Sequence, residues 1–138
     1  MKEPLEVQIS RRESFNAGHR LWDAARSDQA NRQLYGKDAN QHGHNYSLEV
    51  VVAGTVDPST GYLMDLKRLS DLMISEIIDQ VDHRNLNTDV AWLRDRIPTA
   101  ENLAVAFWER LQPRLPDGAL RRVRVYESEK SWAECTAE

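Results

Sequence analysis

Three of the chain's four histidines have the types and spacing of metal ligands. His42 and His44 flank a glycine in Gln41-His42-Gly43-His44-Asn45-Tyr46, and His19 stands upstream in Phe15-Asn16-Ala17-Gly18-His19-Arg20. Residues two apart on a strand share one face, so a strand from His42 onward points both imidazoles the same way. Adding His19 from a neighbouring strand gives a three-nitrogen set with an open fourth position, the layout of a catalytic rather than a structural zinc. Neutral imidazole suits zinc best, and copper, iron or nickel less often. The competing reading is a pair of polar strand residues with ordinary hydrogen bonds.

Further residues carry two readings each. Asp82-His83 is either a carboxylate–imidazole pair for proton transfer or a helix C-cap whose imidazolium favours the helix dipole. Glu127 has the strand parity of Val123 and Val125. Either it faces their buried side and needs donors such as two parallel ligand N–H groups, or the strand has already emerged into water. Thr99-Ala100-Glu101-Asn102 is explained by an N-cap with an acid in the first helical turn. Gly36-Lys37-Asp38 lacks the rest of a phosphate-loop pattern. The single cysteine, Cys135, rules out an intrachain disulfide framework and reads as an idle thiol.

The elements that must position these groups are legible in part. Leu5, Val7 and Ile9 alternate with polar residues, so a strand opens the chain and runs towards Phe15. Residues 21–41 are polar and irregular, with room for a short helix in Trp22–Gln29. A loop of that length in a small domain is often functional. Tyr46, Leu48, Val50 and Val52 define the clearest strand, ending near Gly54. A turn follows, with Leu63 and Met64 as a short extension. Asp65 caps a helix of about four turns whose apolar stripe is Leu66, Leu69, Met73, Ile77 and Val81. Thr99 starts a second helix with Leu103, Phe107 and Leu111 inward. Val123 and Val125 mark a third strand, and Ser131–Cys135 a fourth. This order predicts a mostly antiparallel sheet with both helices on one face, the other face being solvated or meeting another subunit.

Bulk properties narrow the function. At 138 residues the chain suits one domain, and a net charge of -4 without a basic block disfavours nucleic acid. No apolar run approaches a membrane span, and the start, Met1 to Glu6, is too acidic for a signal peptide, so a cytoplasmic location is expected.

Taken in order, the motifs resemble the 6-pyruvoyl-tetrahydropterin synthase / 6-carboxy-tetrahydropterin synthase family. The resemblance spans nearly the whole chain, through Phe15–Leu21, Gly36-Lys37, His42–Tyr46, Thr60–Leu66, Asp82–Asn87, Pro98–Asn102 and Val125–Glu127. It implies a tunnelling fold, a four-stranded antiparallel sheet with two helices on one side, over a single pterin-synthase-like domain, residues 1–138. It also implies homotrimers or homohexamers with active sites at subunit interfaces. Zinc at His19, His42 and His44 would act on the side chain of 7,8-dihydroneopterin triphosphate. Asp82 and His83 would form the proton-transfer pair, and Glu127 would anchor the pterin ring, with Thr99 and Glu101 near its pocket.

One position departs from the family pattern. The catalytic cysteine that follows Gly-Lys in the biopterin-type enzymes is replaced by Asp38, and Cys135 lies far away in the last strand. At their reference values of about 3.9 and about 8.5, a carboxylate is a much weaker base than a thiolate. Relatives with a glutamate at this place cleave the side chain to 6-hydroxymethyl-dihydropterin, a folate precursor. The resemblance therefore leaves three outcomes: a pyruvoyl or carboxy product, side-chain cleavage, or pterin binding without turnover.

Overall fold

The computed structural model describes residues 3–137; Met1 and Lys2 of the acidic start lie outside them. Strand β1 (Val7–His19) pairs antiparallel with β2 (His42–Gly54), from Val7 opposite Gly54 to His19 opposite His42. Between them, the stretch expected to be mostly loop holds helix α1 (Asp28–Tyr35), placed later than the Trp22–Gln29 segment. Ser27 is the reason for the shift. Its side chain caps α1 by accepting from the Ala30 N–H. Buried Asn31 then holds the preceding turn, accepting from Asp23 N–H at 2.8 Å and donating to its carbonyl at 2.9 Å. Gly36, at φ 57°, leaves the helix in a backbone conformation that side chains disfavour and leads into a 3₁₀ turn, Gly36–Ala39.

Asp65 caps α2 (Leu66–Met73) by accepting from Lys67 N–H at 2.9 Å. Leu63 and Met64 form no strand; Met64 packs against the core edge. The helix continues through a π-helical segment, Ile74–Ile78, into α3 (Asp79–Val81). The buried stripe explains the π segment. Leu69, Met73, Ile77 and Val81 are all spaced by four residues, and at 3.6 residues per turn each step overshoots by about 40°. A wider i→i+5 turn takes up that drift and keeps the stripe on the sheet. Leu66, the first residue of the expected stripe, is largely exposed.

The two-residue strand β3 (Arg84–Asn85) follows, then α4 (Ala100–Leu111), β4 (Leu120–Tyr126) and β5 (Trp132–Thr136). The sheet order is β3-β1-β2-β4-β5. The four expected antiparallel strands are present; β3 adds a fifth, parallel to β1, and makes the sheet mixed. The α2–α3 unit packs on β1 and α4 packs on β4 and β5. Phe15 stacks on Tyr46 at 4.8 Å and meets Phe107 edge-on at 6.0 Å, joining sheet and α4 in one core.

The opposite face is polar. Arg12 binds Glu49 at 2.9 Å and the Tyr126 hydroxyl at 2.6 Å, while Arg124 binds Glu134 at 2.6 Å. Among the described residues, no helix is long and apolar enough to cross a membrane.

Phe107 is fully buried between Phe15 and Trp92. Phe107→Ala is expected to lower the unfolding free energy by about 3–5 kcal/mol. Urea titration of the metal-free protein measures it, with an unchanged slope showing that the denatured state is not altered.

Candidate metal centre

The β1–β2 register assembles the three histidines. Residues directly opposite on antiparallel strands share a face, so Phe15–Tyr46, Ala17–His44 and His19–His42 all point to the helix-covered side. The hydrophobic core fills that side as far as Phe15 and Tyr46, and the imidazoles occupy its end. Ala17, opposite His44, is small enough to leave space for the ring. Ring centroids lie 4.6 Å apart for His19–His42 and 5.0 Å for the other two pairs. One ligand nitrogen from each comes within 4.8 Å of the others. Ligand nitrogens about 2.0–2.1 Å from a tetrahedral ion stand about 3.3–3.4 Å apart, so a small inward movement closes the set on a metal.

Backbone carbonyls select which nitrogen faces the centre. His19 Nδ1 lies 2.8 Å from the Pro98 carbonyl, and His42 Nδ1 lies 2.7 Å from the Asn40 carbonyl. A carbonyl only accepts, so each Nδ1 carries the proton and each Nε2 keeps a lone pair for a ligand. The Tyr46 hydroxyl is 3.3 Å from both His19 nitrogens. His19 is buried, and desolvation, reinforced by the neighbouring imidazoles, lowers its pKa to about 4. It is therefore neutral at pH 7, the form a metal requires. Burial pushes the Tyr46 phenol upward, and the charge of Glu127 pushes it further.

Asp82 and His83 form a contact pair, Oδ1 to Nδ1 at 3.0 Å. Both also hold β1. Asp82 accepts from Asn16 N–H at 2.9 Å, which is the main cause of its lowered pKa, and His83 N–H donates to the Asn16 carbonyl. His83 adopts φ 60°, the only positive φ outside glycine among the described residues. Such backbone costs on the order of 1–3 kcal/mol and persists where surroundings impose it. The segment also ends α3, with Asp82 at the C-cap position. A cleft of about 510 Å³ is lined by His42, His44, His83 and Arg84.

A second cleft, about 790 Å³, adjoins it across Gly43, His44 and Asn45 and includes Tyr126 and Glu127. It lies where β4 ends opposite Ser47, leaving the start of β2 without a partner on that edge. Glu127 is half-buried just beyond β4, its N–H bonded to the Ser131 carbonyl at 3.0 Å. It thus stands between the two sequence readings, neither core nor free surface. Asp38 sits on the 3₁₀ turn with its carbonyl held by Leu21 N–H at 2.8 Å and its carboxylate 3.9 Å from His42 Nε2.

Thr99 acts as the α4 N-cap, accepting from Asn102 N–H at 3.1 Å. Glu101 is exposed in the first turn and lines neither cleft. Cys135 packs against the core edge, and burial raises its pKa, as suits an unreactive thiol. Sequence reasoning missed the carbonyls of Pro98 and Asn40 and the Asn16 backbone clamp. Backbone groups carry no residue-type signal; only the fold reveals them.

Comparison with known proteins agrees with this geometry. A family model described as 6-pyruvoyl tetrahydropterin synthase matches residues 8–138. The human 6-pyruvoyl tetrahydrobiopterin synthase is 44% identical over 128 residues, covering 91% of this chain and 88% of that protein. A Pyrococcus furiosus protein named dihydroneopterin monophosphate aldolase is 38% identical over 128 residues, 89% of this chain and 91% of its own. The solved Caenorhabditis elegans 6-pyruvoyl tetrahydropterin synthase has a TM-score of 0.91 at 35% identity, covering 100% of both chains.

Two measurements follow from the centre. Below about pH 6.5 an unfolded histidine takes up a proton that folded His19 refuses until about pH 4. The metal-free protein should hold His19's full contribution above pH 6.5 and lose it as pH falls towards 4, and His19→Gln should flatten that part of the melting-temperature profile. Separately, a divalent cation at a hundred times its dissociation constant should raise unfolding free energy by about 2.7 kcal/mol, and His42→Ala should abolish the increase in denaturant titrations.

Proposed function

Because the chain belongs to the 6-pyruvoyl tetrahydropterin synthase family, we propose that it is a zinc-dependent lyase acting on the side chain of 7,8-dihydroneopterin triphosphate. The observation that carries this reading is the convergence of three imidazoles, two of them locked with Nε2 free, beside a cleft that also holds His83. Zinc bound there would polarise the side-chain oxygens and make the adjacent C–H bonds more acidic.

The chain's own residues supply the rest. His83 receives or returns a proton at the side-chain carbons, and Asp82 orients its ring through the Nδ1 contact while stabilising the imidazolium. The Glu127 carboxylate accepts two parallel N–H groups from the pterin ring, in the cleft next to His44. Asp38, beside His42, is the candidate base where the biopterin-type enzymes have cysteine. Thr99 and Glu101 are proposed as substrate-binding residues near the pterin pocket; Thr99 also caps α4, next to the Pro98 carbonyl that orients His19.

The primary product reading is 6-pyruvoyl- or 6-carboxy-tetrahydropterin. Asp38 itself favours a second reading, cleavage to 6-hydroxymethyl-dihydropterin, because a carboxylate replaces the thiol. The 38% identity to a protein named as an aldolase supports it. Assembly into trimers or hexamers is part of the proposal. An exposed apolar patch of Val7, Val56, Tyr62 and Leu66, together with the unpaired edge of β2, supports it.

The test is product identification by mass spectrometry after incubating zinc-loaded protein with dihydroneopterin triphosphate. Turnover is expected with zinc and absent after chelation, and Asp38→Cys is expected to shift products towards the pyruvoyl compound. Equal conversion in zinc-free controls would sink the proposal. Sedimentation should give a trimer or hexamer, and a monomer at micromolar concentration would remove the interface site.

A further inference from the structure

Asp38 stands on the ligand side of His42. Nδ1 of that ring is taken by the Asn40 carbonyl at 2.7 Å, so the Nε2 that lies 3.9 Å from the Asp38 carboxylate is the nitrogen left to bind a metal. In a tetrahedral site, ligand atoms about 2.0–2.2 Å from the ion are about 3.3–3.5 Å apart. The carboxylate is therefore within about half an ångström of a ligand's spacing from His42. The three imidazole nitrogens lie within 4.8 Å of one another; Asp38 stands outside that set and approaches it through His42.

The turn bearing Asp38 is held in place. Ala39 is buried, Asn40 N–H bonds the Lys37 carbonyl at 3.0 Å, and Leu21 N–H bonds the Asp38 carbonyl at 2.8 Å. Leu21 lies two residues past His19, so this contact ties the turn to the end of β1. Meanwhile the Asp38 side chain accepts no hydrogen bond among the described residues and is 63% exposed. It is a carboxylate with a fixed base and a free head, 3.9 Å from the nitrogen that His42 leaves for a ligand.

We propose that Asp38 is a fourth metal ligand, closing the three-histidine set when no substrate is bound and yielding its place to the substrate's side-chain oxygens. This rests on the reading of His19, His42 and His44 as a metal centre, and goes beyond it by giving Asp38 a role a cysteine base would not have. Once displaced, the carboxylate stands next to the oxygens that displaced it, where a base is needed. The ligand role and the base role are then two stages of one residue.

The test compares wild type, Asp38→Asn, Asp38→Ala and His42→Ala as full-length, chelator-treated proteins. Zinc affinity is read by competition with a chromophoric chelator, and the coordination sphere by the visible ligand-field bands of added cobalt(II). Both Asp38 variants are expected to lose at least about 10-fold in zinc affinity and to change the cobalt band positions and intensity. Far-UV circular dichroism of the metal-free variants checks folding, which an exposed position should leave intact. Unchanged affinity overturns the proposal. Lower affinity with unmoved cobalt bands also overturns it, because Asp38 would then be only a nearby charge. If wild type itself binds neither ion, the metal centre fails rather than the fourth ligand.

Discussion

The register of one strand pair governs everything chemical in this chain. With His19 opposite His42 and Ala17 opposite His44, three imidazoles share the inner face at one end of the sheet. A slip of one residue would turn His42 and His44 to the polar face and leave His19 alone. Few slips in a small domain would be so costly, because the same thirteen-residue pairing also decides whether Phe15, Tyr46, Leu48 and Val50 are inside. Core burial and ligand placement are thus enforced by a single choice of register. Burying the apolar residues correctly builds the metal centre without any separate device.

Around that centre, orientation comes from groups that cannot easily drift. The carbonyls of Pro98 and Asn40 fix two tautomers. Pro98 immediately precedes the cap of α4, and α4 is anchored by Leu103, Phe107 and Leu111, all fully buried. A helix packed for stability therefore presents the acceptor that orients His19 at the end of the core. His19 accepts burial because that acceptor satisfies Nδ1, and a metal on Nε2 would satisfy the other nitrogen.

Much of this was legible in the chain. Alternation at residues 46–52 and at 123–125, the Asp65 and Thr99 caps and the four-residue stripe along the first long helix all act locally, so sequence patterns expose them. The histidines, the Asp82-His83 pair and Glu127 were visible as side chains with chemistry. What stayed hidden depends on distant partners. α1 begins at Ser27 because Asn31 folds the preceding turn, β3 exists because His83 and Leu86 bond to β1, and the π segment follows from a spacing whose drift matters only once a sheet lies beneath it. Thr99 and Glu101 show the reverse case. Their motif also reads as a helix start, and in the single chain Thr99 makes a capping bond while Glu101 is exposed.

The left-handed turn at His83 has a mechanical consequence. Through Asn16, Asp82 and His83 grip both the N–H and the carbonyl of a residue three positions before His19 on the same strand. The proposed proton-transfer pair and the proposed metal ligand His19 are consequently tied to one strand. Breathing of the α2–α3 unit would carry the pair along with the strand rather than away from it. Fluctuations of this segment would then be collective displacements that preserve the spacing between Asp82, His83 and His19.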